Sequence, residues 1–463
     1  MIGLYFLLIV GAGLLGSKFA KTQEDYLVAG RRLSFPLFFG CMGAMALGGG
    51  STIGSARLGY EFGLGGIWLN VSIGLGLIGA GLLITSKLSR LRAISVNQVV
   101  EQSYGRAAHV FSTALTLIYT LTLSVVQVIS IGSIINGSLG FDPTLSMVAG
   151  GGIVIVYTFV GGMWSVTMTD IVQFVYQTIG VLILAPICCL YAAGGWDSLV
   201  SQVPDSYLSI ANMGFDRSFA YIVLYVPGLI IGQDIWQRIF TAKNQKISKV
   251  GTIGAGIYSI LYAFATVIIG MSVFALLPSL DNPQDAFTTG VITFLPAGIR
   301  GIVLAAAMAA TMSVSSGTIL ASSTVMYNDL YLRFAKAPKP GHEITVTRII
   351  AGVIGIIVMV CALWINDVLV GIDICYGYLS GCVFVPLVAS FLLRSFSPRA
   401  GLASLAVSSV AVTVSFMIFG TSSSLPIVIG MAVGTTGYAV TMMVDPTRKL
   451  SPFSTPQDEP EAR

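Results

Sequence analysis

Long apolar runs separated by short polar stretches make up nearly the whole chain. A helix needs about 20 apolar residues to cross a bilayer core. On that rule the pattern predicts an all-α polytopic membrane protein with thirteen spans: roughly 2–20, 34–61, 64–87, 108–136, 144–163, 170–194, 218–238, 251–278, 298–325, 344–366, 368–393, 400–420 and 424–444. The stretch Val96 to Tyr104 reads as a short interfacial helix before the fourth span, and the polar, Pro-rich tail after Pro452 as disordered.

Two spans carry interruptions. In the second, Gly48, Gly49 and Gly50 are followed by Ser51 and Thr52. Successive glycines are costly in a helix because each loses much backbone freedom. Unwound backbone at membrane depth persists only where it lines a polar cavity or is buried in protein. The blander reading is a close helix–helix contact through small residues. In the seventh span, Tyr221 to Phe240, Pro227-Gly228 is the expected break, with Gly232, Gln233 and Asp234 beyond it. Paired interrupted helices point to a carrier built from inverted repeats. The breaks lie five spans apart and their spans enter from opposite faces, as a five-plus-five inverted repeat requires. No residue-level repeat is visible.

Composition agrees with the membrane reading. Of 463 residues 55% are hydrophobic and 10% charged, against roughly 25% charged in soluble domains. The mean hydropathy is +0.87. The net charge of +4 comes from loop cations, which speaks of orientation rather than of nucleic acid. Alternate loops carry Lys18, Lys21, Arg31 and Arg32; Lys87, Arg90, Arg92 and Arg106; Arg238, Lys243, Lys246 and Lys249; Arg333, Lys336 and Lys339; Arg394 and Arg399; Arg448 and Lys449. Intervening loops carry mainly acids, among them Asp142, Asp197, Asp205, Asp281 and Asp285. The positive-inside tendency puts the N-terminus outside and the C-terminus in the cytoplasm, as an odd span count demands. Six cysteines sit in apolar segments without metal-ligand spacing and read as packing residues. His109 and His342 are far apart, which gives a His-based metal centre little support. The first apolar stretch has no basic residue before it and reads as a spanning helix rather than a signal peptide.

The segment YTFVGGMWSVTMTDIVQ, Tyr157 to Gln173, is similar to the GG-x-x-A-V-x-x-T-D-x-x-Q signature of the sodium:solute symporter family. The GGGSTIG break, QRIFTAK (Gln237 to Lys243) and AAAMAATMSVSSGTILASSTVMYNDLY (Ala305 to Tyr331) add to the resemblance. It implies a leucine-transporter-type core of ten helices over 34–397. One helix and a cytoplasmic loop (1–33) would precede it, and two helices (398–445) and a tail (446–463) follow.

Ala310, Ser313 and Ser316 recur every third residue and face one side of the ninth span. Ala44 and Leu47, at the end of the first half of span two, offer carbonyls at a negative dipole end. The resemblance implies a sodium site between them: carbonyls of Ala44, Leu47 and Ala310 and the hydroxyl of Ser313. Val314 departs from the family, which usually has a second hydroxyl ligand there. In some relatives an acid matching Asp170 and serines at the positions of Ser313 and Ser316 form a second sodium site; Gly317 replaces one family serine here. The plain alternatives are serines bonding their own helix and an N-cap at Thr169-Asp170.

For the solute, the half-helices that start at mid-membrane would turn positive dipole ends to a shared pocket, which favours a carboxylate. Gly48, Gly50, Ser51 and Thr52 form one candidate wall and Gly228, Gln233 and Asp234 the other. Asp234 is placed to meet an ammonium, and Gln127 is a polar wall or a helix-to-helix bond. Arg57 lies about one and a half turns beyond the glycine break, and an arginine inside a span normally finds an acid. Asp373 in span eleven sits at matching depth, so an outer gate of Arg57 and Asp373 is expected. Glu61, one turn outward from Arg57, is the other possible partner; a static ion pair and direct binding of a substrate carboxylate are the other roles. No nucleophile–base pair, nucleotide loop or metal cluster supports an enzyme. The reading is a plasma-membrane carrier, monomer or weak homo-oligomer, coupling Na+ to a small polar solute. A proton-coupled symporter, a channel and a sensor are the rivals.

Overall fold

Helices form almost every element of the computed structural model. It describes residues 1–88, 93–335, 341–364, 368–393, 395–420, 423, 425–445, 447 and 449–450. The tail after Pro452, and Arg90, Arg92, Lys336, Lys339, Arg394 and Arg448, lie outside the described residues. One antiparallel pair of two-residue strands joins Ser395–Phe396 to Lys449–Leu450.

Helix α1 (Ile2–Ser17) is followed by the broken second span, α2 (Phe35–Met45) and α3 (Ser55–Phe62). Between them the chain leaves the helix after Met45 and resumes in a wide turn over Gly50–Gly54. The break therefore falls at residues 46–48, a little before the place expected: of the three glycines only Gly48 is unwound, and Gly49 and Gly50 are already helical. Helix α4 (Trp68–Leu83) leads to α5 (Val96–Leu139), a helical stretch of 44 residues. At 1.5 Å per residue that is about 66 Å, twice a bilayer core. Gly105, at φ +84°, supplies the bend that sets 96–104 apart from the crossing.

Helix α6 (Pro143–Gln177) bends at Gly162 (φ +55°, ψ −140°). A Cβ there would meet the Tyr26 carbonyl at 2.5 Å, so only glycine fits. Helix resumes at once, and no loop separates 163 from 170. Asp170 is thus buried inside a helix rather than capping one, which removes the N-cap reading.

Helices α7 (Phe215–Ile231) and α8 (Gln233–Ile239) meet at 44°. Their break is at Gly232 (φ −58°, ψ 128°), not at Pro227-Gly228 as expected. Pro227 stays within α7. A proline costs a helix the hydrogen bond to the carbonyl four residues back, here that of Val223; the next carbonyl, of Leu224, accepts Ser380 Oγ at 2.7 Å. Gly228 serves close packing, since a Cβ there would lie 2.4 Å from the Tyr376 ring.

The remaining long helices are α9 (Gln245–Leu276), α10 (Ala297–Val325), α11 (Glu343–Ala362), α12 (Val368–Tyr378), α13 (Pro398–Phe419) and α14 (Leu425–Val444). Helix α10 and its continuation form the axis of the bundle: 94% of their apolar window is buried, against 28% for α13 and 22% for α14. The alanine, serine and glycine run in α10 allows close approach from all sides.

Among the described residues, nine helices are long and apolar enough to cross a membrane, or ten with α7–α8 as one span. The number is below thirteen because α1 and α2 are short and because Gly50–Leu83 and Pro143–Ala192 each run as one helical stretch. The six cysteines are free thiols.

Candidate ion and solute sites

Four helices converge on Asp170, which is fully buried. Ser313 of α10 donates its hydroxyl to Oδ1 at 2.5 Å. Cys41 of α2 donates its thiol to Oδ2 at 3.0 Å. Arg238 of α8 donates from Nη2 to the same oxygen at 3.0 Å. A carboxylate at this depth is tolerated only when paired and hydrogen-bonded, and this one has both. Arg238 corrects the sequence reading, which counted it among loop cations: it is 1% exposed. Gly317 makes the room, because a Cβ there would lie 2.5 Å from Nη1 and 3.0 Å from Cζ of the guanidinium. Cys41 likewise does more than pack.

Ala44, Leu47 and Ala310 are buried. Ala44 lies one turn beyond Cys41, and its carbonyl accepts from Gln177 Nε2 at 3.2 Å. Ser316 donates to the Ser313 carbonyl at 3.0 Å, the plain helix-backbone role. The donors fit a hard monovalent cation. Ser313 spends its proton on Asp170, which leaves the hydroxyl lone pairs available as a ligand. Asp170 is charge-matched by Arg238, so the surrounding is neutral before the ion enters. With no net negative charge to offset, such a site is better suited to a single positive charge than to a double one.

The solute residues divide. Gly48, Gly50, Ser51, Gln127, Asp234 and Val314 line a cavity of about 40 Å3, with Tyr225, Ile372 and Tyr376 closing it. Gln127 Oε1 accepts the Gly49 N–H at 2.8 Å. A Cβ at Gly48 would lie 2.7 Å from that oxygen, so the glycine admits the amide. Asp234 Oδ1 accepts the Tyr119 hydroxyl at 2.9 Å. Three expected residues point elsewhere. Thr52 bonds the Tyr262 hydroxyl at 2.8 Å. Gln233 clamps the chain before α5, accepting from Val96 N–H at 2.8 Å and donating to the Ile94 carbonyl at 3.1 Å. Gly228 packs under Tyr376. The tyrosines were missed because aromatic residues are common in such spans and carry no distinguishing spacing.

A larger cavity of about 280 Å3 adjoins the small one across Tyr225 and is lined by Arg57, Glu61, Arg217, Tyr221 and Asp373. Arg57 Nε donates to Glu61 Oε1 at 2.9 Å. This ion pair joins neighbours on α3, and Asp373 of α12 lines the same cavity. Arg57 also borders a third cavity, of about 200 Å3, with Asp285 and Ser130.

Two interrupted helices lining one central cavity, beside a charge-matched carboxylate within the span, define a membrane carrier for small solutes. The match to the family model described as sodium:solute symporter family runs over residues 26–407, and the chain belongs to that family. It is 26% identical over 395 residues to the high-affinity proline transporter PutP of Bacillus subtilis, covering 81% of this chain and 83% of that one. It is 23% identical over 434 residues to a sodium/glucose cotransporter of Vibrio parahaemolyticus, covering 85% and 79%. The fold matches a Na+-coupled sialic acid symporter solved substrate-bound and outward-open, at TM-score 0.85, 19% identity and 97% and 98% coverage. Membership makes the chain a multi-pass transporter rather than an enzyme, with sodium as its coupling cation.

Proposed function

We propose that the chain is a plasma-membrane symporter that uses inward sodium flow to take up a small polar solute bearing a carboxylate, by alternating access. The observation that carries this is the meeting of Cys41 and Ser313 on Asp170. It sets the sodium donors one turn from the break that opens the solute cavity. Sodium bound by Ala44, Leu47, Ala310 and Ser313 holds α2 against α10, and the cavity beside Gly48 and Ser51 takes shape with it. Ion and solute thereby favour the same state, and each shifts the equilibrium only by its differential affinity for the two states.

On this reading the chain has thirteen spans. α2 and α3 form one, and the bend at Gly162 joins two. The residues 34–397 form a five-plus-five inverted repeat, with the N-terminus outside and the C-terminus inside. The cavity around Arg57 and Asp373 then opens outward, and these two side chains gate it. Purified protein in proteoliposomes tests the whole reading. Solute uptake should need an inward sodium gradient, saturate, and be stimulated by solute inside. Sustained single-channel current would indicate a channel, binding without uptake a sensor, and uptake driven by a proton gradient alone a proton symporter.

A further inference from the structure

Among the described residues the central cavity has one charged side chain in its lining, and it is an acid. Asp234 is 2% exposed, lines the cavity, and takes from other side chains a single neutral donor, the Tyr119 hydroxyl at 2.9 Å. Its neighbour Arg238, one turn along α8, turns Nη2 to Asp170, and among the described residues no ion pair joins it to Asp234. Arg57 lines the larger cavities instead. Tyr119 packs edge-on against Tyr376 at 5.3 Å between ring centroids, and Tyr376 against Tyr225 at 5.0 Å. Tyr225 and Tyr376 themselves line the cavity. A desolvated carboxylate beside aromatic rings is complementary to a cation, and on an organic solute that cation is a positively charged nitrogen. The carboxylate supplies the counter-charge that burial otherwise leaves missing, and ring faces attract a desolvated cation.

We propose that the solute carries an ammonium group, primary or methylated, and that Asp234 is the residue selecting it, with Tyr225 and Tyr376 around the nitrogen. The inference rests on the solute-carrier reading above. A carboxylate on the same molecule would face Gly50 and Ser51 across the cavity, so the preferred solutes are zwitterions. Simple organic anions and neutral polyols leave Asp234 without a counter-charge and are disfavoured.

The test uses pairs of probes that differ only in replacing the charged nitrogen by carbon. Glycine betaine is set against 3,3-dimethylbutanoate, choline against 3,3-dimethylbutan-1-ol, and L-alanine against isobutyrate. Each is added at millimolar concentration to purified full-length protein in sodium or in potassium, and thermal stability is read. In sodium, at least one nitrogen member should stabilise the wild-type protein while its carbon twin binds at least about tenfold more weakly, the loss expected when a desolvated charge goes unpaired. In Asp234→Asn that preference should vanish. No shift with any nitrogen probe, or equal shifts from both members of every responding pair, overturns the proposal. So does an unchanged preference in Asp234→Asn. The twin comparison needs no variant and stands if Asp234→Asn misfolds. Sodium alone against potassium reads the ion site, so failure of sodium coupling is seen separately from failure at Asp234.

Discussion

Arg238 and Arg57 each lie a turn or two past the break of an interrupted helix, and each has a carboxylate at hydrogen-bonding distance. Arg238 meets Asp170 at 3.0 Å with side chains 1% and 0% exposed. Arg57 meets Glu61 at 2.9 Å with 28% and 24% exposed. Similar geometry has different consequences because water reaches only one of them. In the buried pair, neither charge has a substitute partner in solvent, so the pair behaves as one structural unit tying α6 to α8. In the hydrated pair, water and other charges around the cavity compete for both partners. That pair contributes little stability and is free to rearrange, which is what a gate requires.

The largest expected effect comes from breaking the buried pair on one side. Asp170→Asn or Arg238→Gln should each destabilise the protein by roughly 3–5 kcal/mol by leaving the other charge uncompensated. The double variant should be more stable than either single. Melting temperature in detergent checks this; single variants as stable as the wild type would contradict the burial of the pair.

Next in size is Ser313→Ala, which keeps the ion pair and removes the side-chain oxygen assigned to sodium. Apparent sodium affinity should fall about tenfold, near 1.4 kcal/mol, while the melting point in sodium-free buffer moves less than in the Asp170 variant. Sodium titration of thermal stability and of uptake separates the two effects. Wild-type sodium dependence in a well-expressed variant would move the ion site elsewhere. Val314→Ser works in the opposite direction, adding an oxygen beside Ser313. It should tighten sodium a few-fold, and an unchanged titration would mean that another oxygen already completes the shell.

The smallest effects on stability belong to the hydrated pair. Arg57→Asp and Asp373→Arg should each change the melting point by the equivalent of about 0–1 kcal/mol, yet each should lower uptake. The double swap should restore part of the uptake if the two side chains meet when the cavity closes. Normal transport by Asp373→Asn, or a double swap no better than either single, would leave Arg57 to Glu61 alone and end the gate reading.

The hydropathy pattern alone was enough to set out a helical membrane protein with a break in the second span, because apolar length and consecutive glycines act locally, although the unwound residues are 46–48 rather than the three glycines. The motif at Tyr157 to Gln173 carried the family, and with it Asp170 and Ser313. Partners were beyond its reach. Arg238 reads as a loop cation, since its acid lies 68 residues away and only the packing of α8 against α10 at Gly317 brings it inside. Thr52 and Gln233 have the right chemistry for the cavity, but rotation about their helices gives them to Tyr262 and to the chain before α5. Pro227 looks like the breaker, but α7 keeps its course past the proline and the backbone turns at Gly232. Composition along a chain records what burial costs each residue. Which distant group offsets that cost is decided when the helices pack, and here that packing gave Arg238 to Asp170 and Tyr119 to Asp234.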